Sequence, residues 1–254
     1  MHMNLVSVFG DTVKKYRTAY KDATDELVKN GTFVHAPGSL SFDKQPFTGT
    51  VKVIDTDTVS AGIQYAYINK YNTAVLNFAD AETPGGLVTV GANTQEECIC
   101  RCSNLYASLM EQYCREHYYN YNKRNYNNGK NTDAVIYSEG VTCFKNAKYE
   151  LLNREVCFDV ITCPAPRTMM DEKEAMKTYI PRIKMILFSA IEHNAKNLIL
   201  GAWGCGAFGQ NPYVVARAFL KVINDYGGWF ENIIFAIPDG GDDSNYAIFK
   251  DVLS

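Results

Sequence analysis

The chain has 254 residues and a formal net charge of −3 at pH 7. This length can support one substantial hydrophobic core, and the slightly acidic balance argues against tight sequence-independent binding to nucleic acid. Eight cysteines, no charged-then-apolar leader and no apolar run of about 18 residues lead us to expect a reduced, cytoplasmic protein without a membrane span.

The first 50 or so residues are expected to form a helical and loop extension packed on the main domain. An amphipathic helix is predicted over 11–29, with Asp11 as its cap and Gly31 just past its end. Prolines and glycines over 37–49 then indicate a loop.

Strands and helices alternate through the rest of the chain. Alternating valines over 51–53 predict a short strand, and Asp57 is expected to open a helix that runs to about Lys70. The apolar stretch 73–79 predicts a buried strand, and the residues after Gln95 predict a long helix.

The second half continues the alternation. We expect strands over 134–144, 156–162, 197–202 and 232–237, and helices over 171–194, from Pro212 and from about Asp243. This order predicts a single domain over 1–254 with a three-layer α/β/α architecture and a mixed, largely parallel sheet.

Two stretches allow more than one interpretation. The tyrosine- and asparagine-rich segment 118–130 is predicted to be a surface loop, although its interleaved aromatic and basic residues could also stack on a base. The run Cys98, Cys100 and Cys102 could suggest a metal site, but Cys98 and Cys102 share the helix spacing of an apolar face, so we predict core packing and no metal.

The first candidate site lies between the strand 73–79 and the helix after Gln95. Gly85 and Gly86 would let backbone N–H groups approach a bound group closely, and a helix start favours an anion such as phosphate. Glu96 and Glu97 fall in the first helical turn, where carboxylates are also favoured by the helix dipole alone.

A second glycine-rich loop follows the strand 197–202 and offers backbone donors in the same way. Its residues Gly204, Cys205, Gly206, Ala207 and Phe208 lack the Gly-Lys-Ser/Thr ending of a nucleotide-hydrolysing phosphate loop. Cys205 paired with a histidine could be a thiol nucleophile, but no local sequence signature supports that alternative.

Several separated blocks resemble the microbial-type poly(ADP-ribose) glycohydrolases, a branch of the macrodomain superfamily. The blocks are Asn77-Phe78-Ala79, Pro84-Gly85-Gly86, Gln95-Glu96-Glu97, 101–106, 135–138, 161–166 and 200–209. The chain departs from the family pattern at Leu87, where a third glycine is usual, and at Asp80, where asparagine is usual.

The resemblance implies a macrodomain-like fold and hydrolysis of the ribose–ribose O-glycosidic bond of poly(ADP-ribose), with release of ADP-ribose and no cofactor. By resemblance, Glu97 is the general acid and base and Glu96 positions the ribose hydroxyls. The implied substrate-binding residues are Asp80, Gly85, Gly86, Gln95, Gly204, Cys205, Gly206, Ala207 and Phe208. Two alternatives remain open: a non-catalytic ADP-ribose-binding macrodomain, and a hydrolase of mono-ADP-ribosylated protein or nucleic acid. The expected partners are ADP-ribose or ADP-ribosylated macromolecules, without a membrane and without sequence-specific nucleic-acid binding.

Overall fold

A mixed sheet forms the middle layer of the computed structural model, which describes residues 3–68, 72–242 and 244–253. Its strands are β1 (Thr32–His35), β2 (Lys52–Ile54), β3 (Thr73–Phe78), β4 (Val135–Lys145), β5 (Leu151–Cys163), β6 (Asn197–Leu200) and β7 (Asn232–Ala236). They lie in the order β1-β4-β5-β3-β6-β7-β2. β1, β4 and β5 pair antiparallel, whereas the pairings from β5 through β3, β6 and β7 to β2 are parallel. The predicted mixed, largely parallel sheet is confirmed.

Helices cover both faces of this sheet. They are α1 (Leu5–Arg17), α2 (Lys21–Asn30), α3 (Thr58–Ile68), α4 (Gln95–Cys102), α5 (Leu105–Leu109), α6 (Gln112–Cys114), α7 (Asn120–Arg124), α8 (Glu172–Glu192), α9 (Pro212–Tyr226) and α10 (Asn245–Leu253). Because side chains alternate along a strand, Leu76 of β3 enters the core beneath α8, α9 and α10, while Val75 enters the core beneath α1 to α5. The three-layer α/β/α architecture follows.

The prediction of one N-terminal helix from Asp11 was wrong. The Asn4 side chain accepts a hydrogen bond from the Ser7 amide at 3.1 Å and starts α1 six residues earlier, at Leu5. The chain then leaves helical geometry at Thr18, so that two helices form instead of one. Gly31 follows the second helix, as predicted.

The long helix predicted after Gln95 was also wrong, because α4 ends at Cys102. Ser103 is extended and forms a bridge with Cys143 of β4. The Asn104 side chain also accepts a hydrogen bond from the Thr142 amide at 2.8 Å, which ties the break to the sheet. Cys102 is buried, which agrees with core packing.

The segment 118–130 is largely helical, which contradicts the surface-loop prediction. A π-helical turn over Arg115–Tyr119 leads into α7. The wider turn places the consecutive residues Tyr118 and Tyr119 both in the core, where they are buried. Composition alone pointed to a turn because asparagine is frequent in both turns and helix ends.

Two strand predictions were incomplete, because β5 begins five residues before the predicted residue 156 and β1 was not predicted, whereas the other boundaries agree to within a few residues. Asp57 caps α3 by accepting a hydrogen bond from the Ser60 amide at 2.9 Å, and Pro212 is the first residue of α9. The predicted helix end near Lys70 and helix start near Asp243 lie outside the described residues. Within the described ranges, no helix is both long enough and apolar enough to cross a membrane.

Candidate active site

The first loop, residues 79–94, connects the carboxyl end of β3 to the amino end of α4. Thr94 caps α4, and its amide N–H donates to Oε2 of Glu97 at 2.9 Å, while the Thr94 hydroxyl also donates to this oxygen. The amide of Leu87 donates to the other oxygen, Oε1, at 3.0 Å. The Glu97 carboxylate is therefore held from both sides by its own loop.

The neighbouring carboxyl, Glu96, lies deeper and is only 2% exposed. Its Oε2 accepts from the Asp80 amide at 2.7 Å, and its Oε1 accepts from Nδ2 of Asn77 at 3.2 Å. Burial raises the pKa of Glu96 well above its usual range, and the negative charges of Asp80 and Glu97 act in the same direction. Glu96 is thus favoured in its neutral form.

Two adjacent glycines of the first loop leave room for neighbouring side chains, Gly86 for the glutamates and Gly85 for Tyr106. Gly86 has φ +60°, and a Cβ on it would overlap Oε1 of Glu97 and lie 3.0 Å from Oε2 of Glu96. A Cβ on Gly85, which has φ +67°, would meet the Tyr106 ring at 2.7 Å. The Gly86 amide donates to the Thr83 carbonyl at 3.0 Å, so it is not free to bind a ligand as the sequence suggested.

Gln95 anchors the start of α4 to the sheet. Its Oε1 accepts from the Phe78 amide at 2.8 Å, and its Nε2 donates to the Leu76 carbonyl at 2.6 Å. A third hydrogen bond joins Nε2 to the Thr58 hydroxyl at 3.2 Å. Both amide atoms are engaged within the protein, so Gln95 supports the site from within; because it also lines the cleft, its predicted substrate-binding role stays a prediction.

Asp80 connects the first loop to the second. Its Oδ1 accepts from the amides of Glu82 and Thr83 at 2.8 and 2.9 Å, and its Oδ2 pairs with Arg167 at 2.5 Å. The Arg167 guanidinium in turn lies 5.3 Å from the centre of the Phe208 ring. Sequence reasoning missed Arg167, because its partner Asp80 is 87 positions away and no local motif marks the pair.

The second loop, residues 201–211, presents unused backbone donors. Within the described part of the chain, the amides of Gly206, Ala207 and Phe208 have no hydrogen-bond acceptor. A Cβ on Gly206 would meet nothing within 4 Å, whereas one on Gly204, which has φ +82°, would meet Oη of Tyr179 at 2.7 Å. Three neighbouring N–H groups ahead of the start of α9 can bind an anion.

Cys205 points away from this chemistry. Its side chain packs against the core formed with α8 and α9. Burial raises the pKa of the Cys205 thiol to about 12. A thiol with this pKa is protonated at neutral pH, which counts against the nucleophile alternative.

A cleft of about 790 Å³ runs between the two loops, a size that suits a nucleotide sugar. Of the sequence-predicted residues, Gln95, Gly204, Gly206, Ala207 and Phe208 line it, whereas Asp80, Gly85, Gly86, Glu96, Glu97 and Cys205 do not. Glu97 is joined to the cleft through Thr94, which lines the cleft and donates its amide N–H to Oε2 of Glu97. Two further segments that also line the cleft were missed: the start of α3 at 57–59, and Ile237, Pro238, Gly240 and Ser244 between β7 and α10. The second contains the consecutive residues Asp239, Gly240, Gly241 and Asp242, a glycine-bearing acidic run that sequence reasoning overlooked.

Solved structures with the same fold come from two bacterial enzymes. Poly(ADP-ribose) glycohydrolase from Thermomonospora curvata is 27% identical, with 98% of each chain covered and a TM-score of 0.86. A structure of that protein with the inhibitor ADP-HPD gives 28% identity, 97% and 98% coverage and a TM-score of 0.85. Poly(ADP-ribose) glycohydrolase from Deinococcus radiodurans in complex with ADP-ribose is 31% identical over 89% of this chain and 95% of that one, with a TM-score of 0.79.

The sequence also matches a family model directly. Residues 10–146, a little more than half of the chain, match the catalytic domain of microbial-type PARG. No curated protein matches the chain significantly. The matched segment contains β3, the first loop and α4 with both glutamates. The chain therefore belongs to the microbial-type PARG family, matched through its catalytic domain.

Proposed function

We propose that this protein is a poly(ADP-ribose) glycohydrolase, which hydrolyses the ribose–ribose O-glycosidic bond of poly(ADP-ribose) and releases ADP-ribose. One observation carries the proposal: two adjacent glutamates, buried and hydrogen-bonded, lie where β3 meets α4, and Thr94, which donates to Glu97, lines a cleft that suits a nucleotide sugar. Family membership and the ligand-bound bacterial relatives support it.

The chemistry needs a proton donor at the leaving oxygen and then a base for water. Cleavage passes through an oxocarbenium-like state, so Glu97 donates a proton to the departing ribose oxygen and afterwards accepts one from the attacking water. The raised pKa of Glu96 favours its protonated form, which can both donate a hydrogen bond to a ribose hydroxyl and accept one. The pair thereby combines catalysis with orientation of the sugar.

The second loop would hold the diphosphate of the same ligand. Its free amides at 206–208 donate to phosphate oxygens, and Phe208 packs against the ribose nearest the scissile bond. Arg167 steadies Phe208 and ties it to Asp80. We also propose that the domain is related to the macrodomains and that the protein is cytoplasmic. The eight cysteines, all free thiols, support the cytoplasmic location.

The decisive variant is Glu97→Gln. We expect release of ADP-ribose from poly(ADP-ribose) to fall at least about 100-fold, because general acid–base catalysis contributes roughly 10²–10⁴-fold. Time-resolved chromatography of released ADP-ribose measures this, with the exposed Glu231→Gln as a matched control. ADP-ribose binding should persist in the variant.

The same experiment separates the alternatives. A wild-type protein that binds ADP-ribose but releases none from polymer would be a non-catalytic binding module. Release from singly modified protein or nucleic acid, without release from polymer, would identify a mono-ADP-ribose hydrolase. Either result would contradict the proposed activity.

A further inference from the structure

We infer that Asn93 is a further ligand-binding residue, whose side-chain N–H donates to the bound nucleotide. Arg101 and Tyr149 fix the orientation of its side chain. The inference rests on the proposed function, since it takes ADP-ribose as the ligand. Asn93 is exposed, lines the cleft and directly precedes Thr94, the residue that holds Glu97.

Arg101 supplies the first part of the support. It belongs to α4, the helix that carries both glutamates, and it is fully buried. Its guanidinium donates to the Ala92 carbonyl and, through Nη1, to Oδ1 of Asn93 at 3.4 Å. Nη1 also lies 3.3 Å from Oη of Tyr149. Since guanidinium nitrogens only donate, the Tyr149 oxygen must accept here.

Tyr149 contacts both Arg101 and Asn93, so that the three side chains form one hydrogen-bonded cluster. With its oxygen accepting from Arg101, its hydroxyl hydrogen is available for Oδ1 of Asn93, 2.9 Å away. The residue stands in the turn between β4 and β5 with φ +66°, a conformation that costs a non-glycine residue roughly 1–2 kcal/mol. Asn146 braces the turn, because its carbonyl accepts from the Tyr149 amide at 2.8 Å. Such strain persists where surrounding contacts over-determine it.

These contacts decide which way the Asn93 amide faces. Two donors converge on one amide atom, so that atom is the oxygen, and a flipped amide would place donor against donor. Among the described residues, no acceptor lies within hydrogen-bonding distance of Nδ2. The Asn93 side chain lines the cleft and is already held in one orientation. Its free N–H can therefore donate to an acceptor atom of the ligand without a further entropy cost for ordering the side chain.

The test is ADP-ribose binding by calorimetry with four variants. Asn93→Ala should raise the Kd about 5- to 10-fold, the effect of losing one hydrogen bond of about 1–1.4 kcal/mol. Asn93→Asp keeps the oxygen that Arg101 and Tyr149 bind but loses the donor, so its Kd should also rise while its melting temperature stays at the wild-type value. Tyr149→Phe should raise the Kd about 2- to 4-fold, and the double variant Asn93→Ala/Tyr149→Phe should bind no more weakly than Asn93→Ala alone.

Steady-state kinetics on polymer supply the second readout. KM should follow the Kd in these variants while kcat stays within about twofold of wild type, and Tyr20→Phe, whose ring stacks on Phe144 away from the cleft, serves as the control. An unchanged Kd in Asn93→Asp, or additive effects in the double variant, would overturn the inference even if wild-type hydrolysis is normal. If wild type binds ADP-ribose but does not hydrolyse polymer, the proposed activity fails while the binding series still decides the role of Asn93. No binding by wild type overturns both.

Discussion

In the first loop the backbone amides of Gly86 and Leu87 are bonded within the protein, to Thr83 and Glu97, whereas the amides of Gly206 and Ala207 in the second loop have no acceptor among the described residues. The glycines differ in the same sense. A Cβ on Gly86 would overlap the Glu97 carboxylate and crowd that of Glu96, and a Cβ on Gly206 would meet no protein atom within 4 Å. Similar glycine-rich stretches thus serve different ends: one makes room for the protein's own carboxylates, the other leaves room for a ligand.

The largest expected effect comes from replacing one glycine by alanine in each loop, in two separate variants. Gly86→Ala should lower kcat at least about 100-fold, because the Cβ displaces the Glu97 carboxylate and misplacement of a reacting group by about 1 Å can cost that much. Gly206→Ala should instead raise KM about 3- to 10-fold with kcat within twofold, since its methyl group meets only bound substrate. Steady-state kinetics on poly(ADP-ribose) measure both. Equal effects on kcat would show that the two loops share one role.

The sequence could not show this difference between the two loops. Both loops were recognisable from glycine after an apolar strand, and the adjacent Glu96 and Glu97 identified the acidic site, because these signals are local. The hydrogen bonds of Gln95 within the protein could not be predicted, because the sequence gives no sign that Leu76 and Phe78, nearly 20 positions earlier, use its amide. Hydrogen bonds between distant segments decide which polar groups remain free for a ligand.

The fold shows the same limit. The strand β3 was predicted almost to the residue, since an apolar run between polar residues is a strong local signal. The break after α4 was missed, because it depends on pairing between Ser103 and Cys143, which lie 40 positions apart. The burial of Tyr118 was missed for a related reason: a π-helical turn has no compositional signature.

The next effect concerns Glu96, the buried carboxyl at the start of α4. Burial raises the folded-state pKa of Glu96 above its unfolded value, so the folded protein binds more protons between the two values. The associated stability is fully present below the unfolded pKa, near 4.5, and is lost as pH rises through the folded pKa, at no more than about 1.4 kcal/mol per pH unit. Glu96→Gln should remove this decline.

Urea unfolding of wild type and Glu96→Gln at a series of pH values from 5 to 9 tests that effect. In Glu96→Gln the remaining oxygen can still accept from the Asp80 amide, while the new amide group meets Nδ2 of Asn77, so we expect the Asn77 side chain to turn its buried Oδ1, which has no partner among the described residues, toward the new donor. The difference in unfolding free energy should move in favour of Glu96→Gln as pH rises. A difference that stays constant with pH would mean that Glu96 is not the buried titrating group.

The smallest effect should come from the contact that joins the loops. Asp80→Asn keeps Oδ1 as an acceptor for the amides of Glu82 and Thr83, but it removes the charge that pairs with Arg167. Both side chains are partly exposed, and such pairs contribute roughly 0.2–1 kcal/mol, so kcat/KM should fall by no more than about fivefold. The effect should appear mainly in KM, because Arg167 acts on the second loop through Phe208.

Glu172→Gln, which breaks the exposed pair with Arg217 on the outer surface of α8 and α9, should change neither constant. A loss of kcat/KM in Asp80→Asn as large as that in Gly86→Ala would mean that the two loops are mechanically coupled. If Asp80→Asn also lowers kcat/KM in a protein that already carries Arg167→Gln, Asp80 acts on Glu96 and Glu97 and not through its ion pair with Arg167.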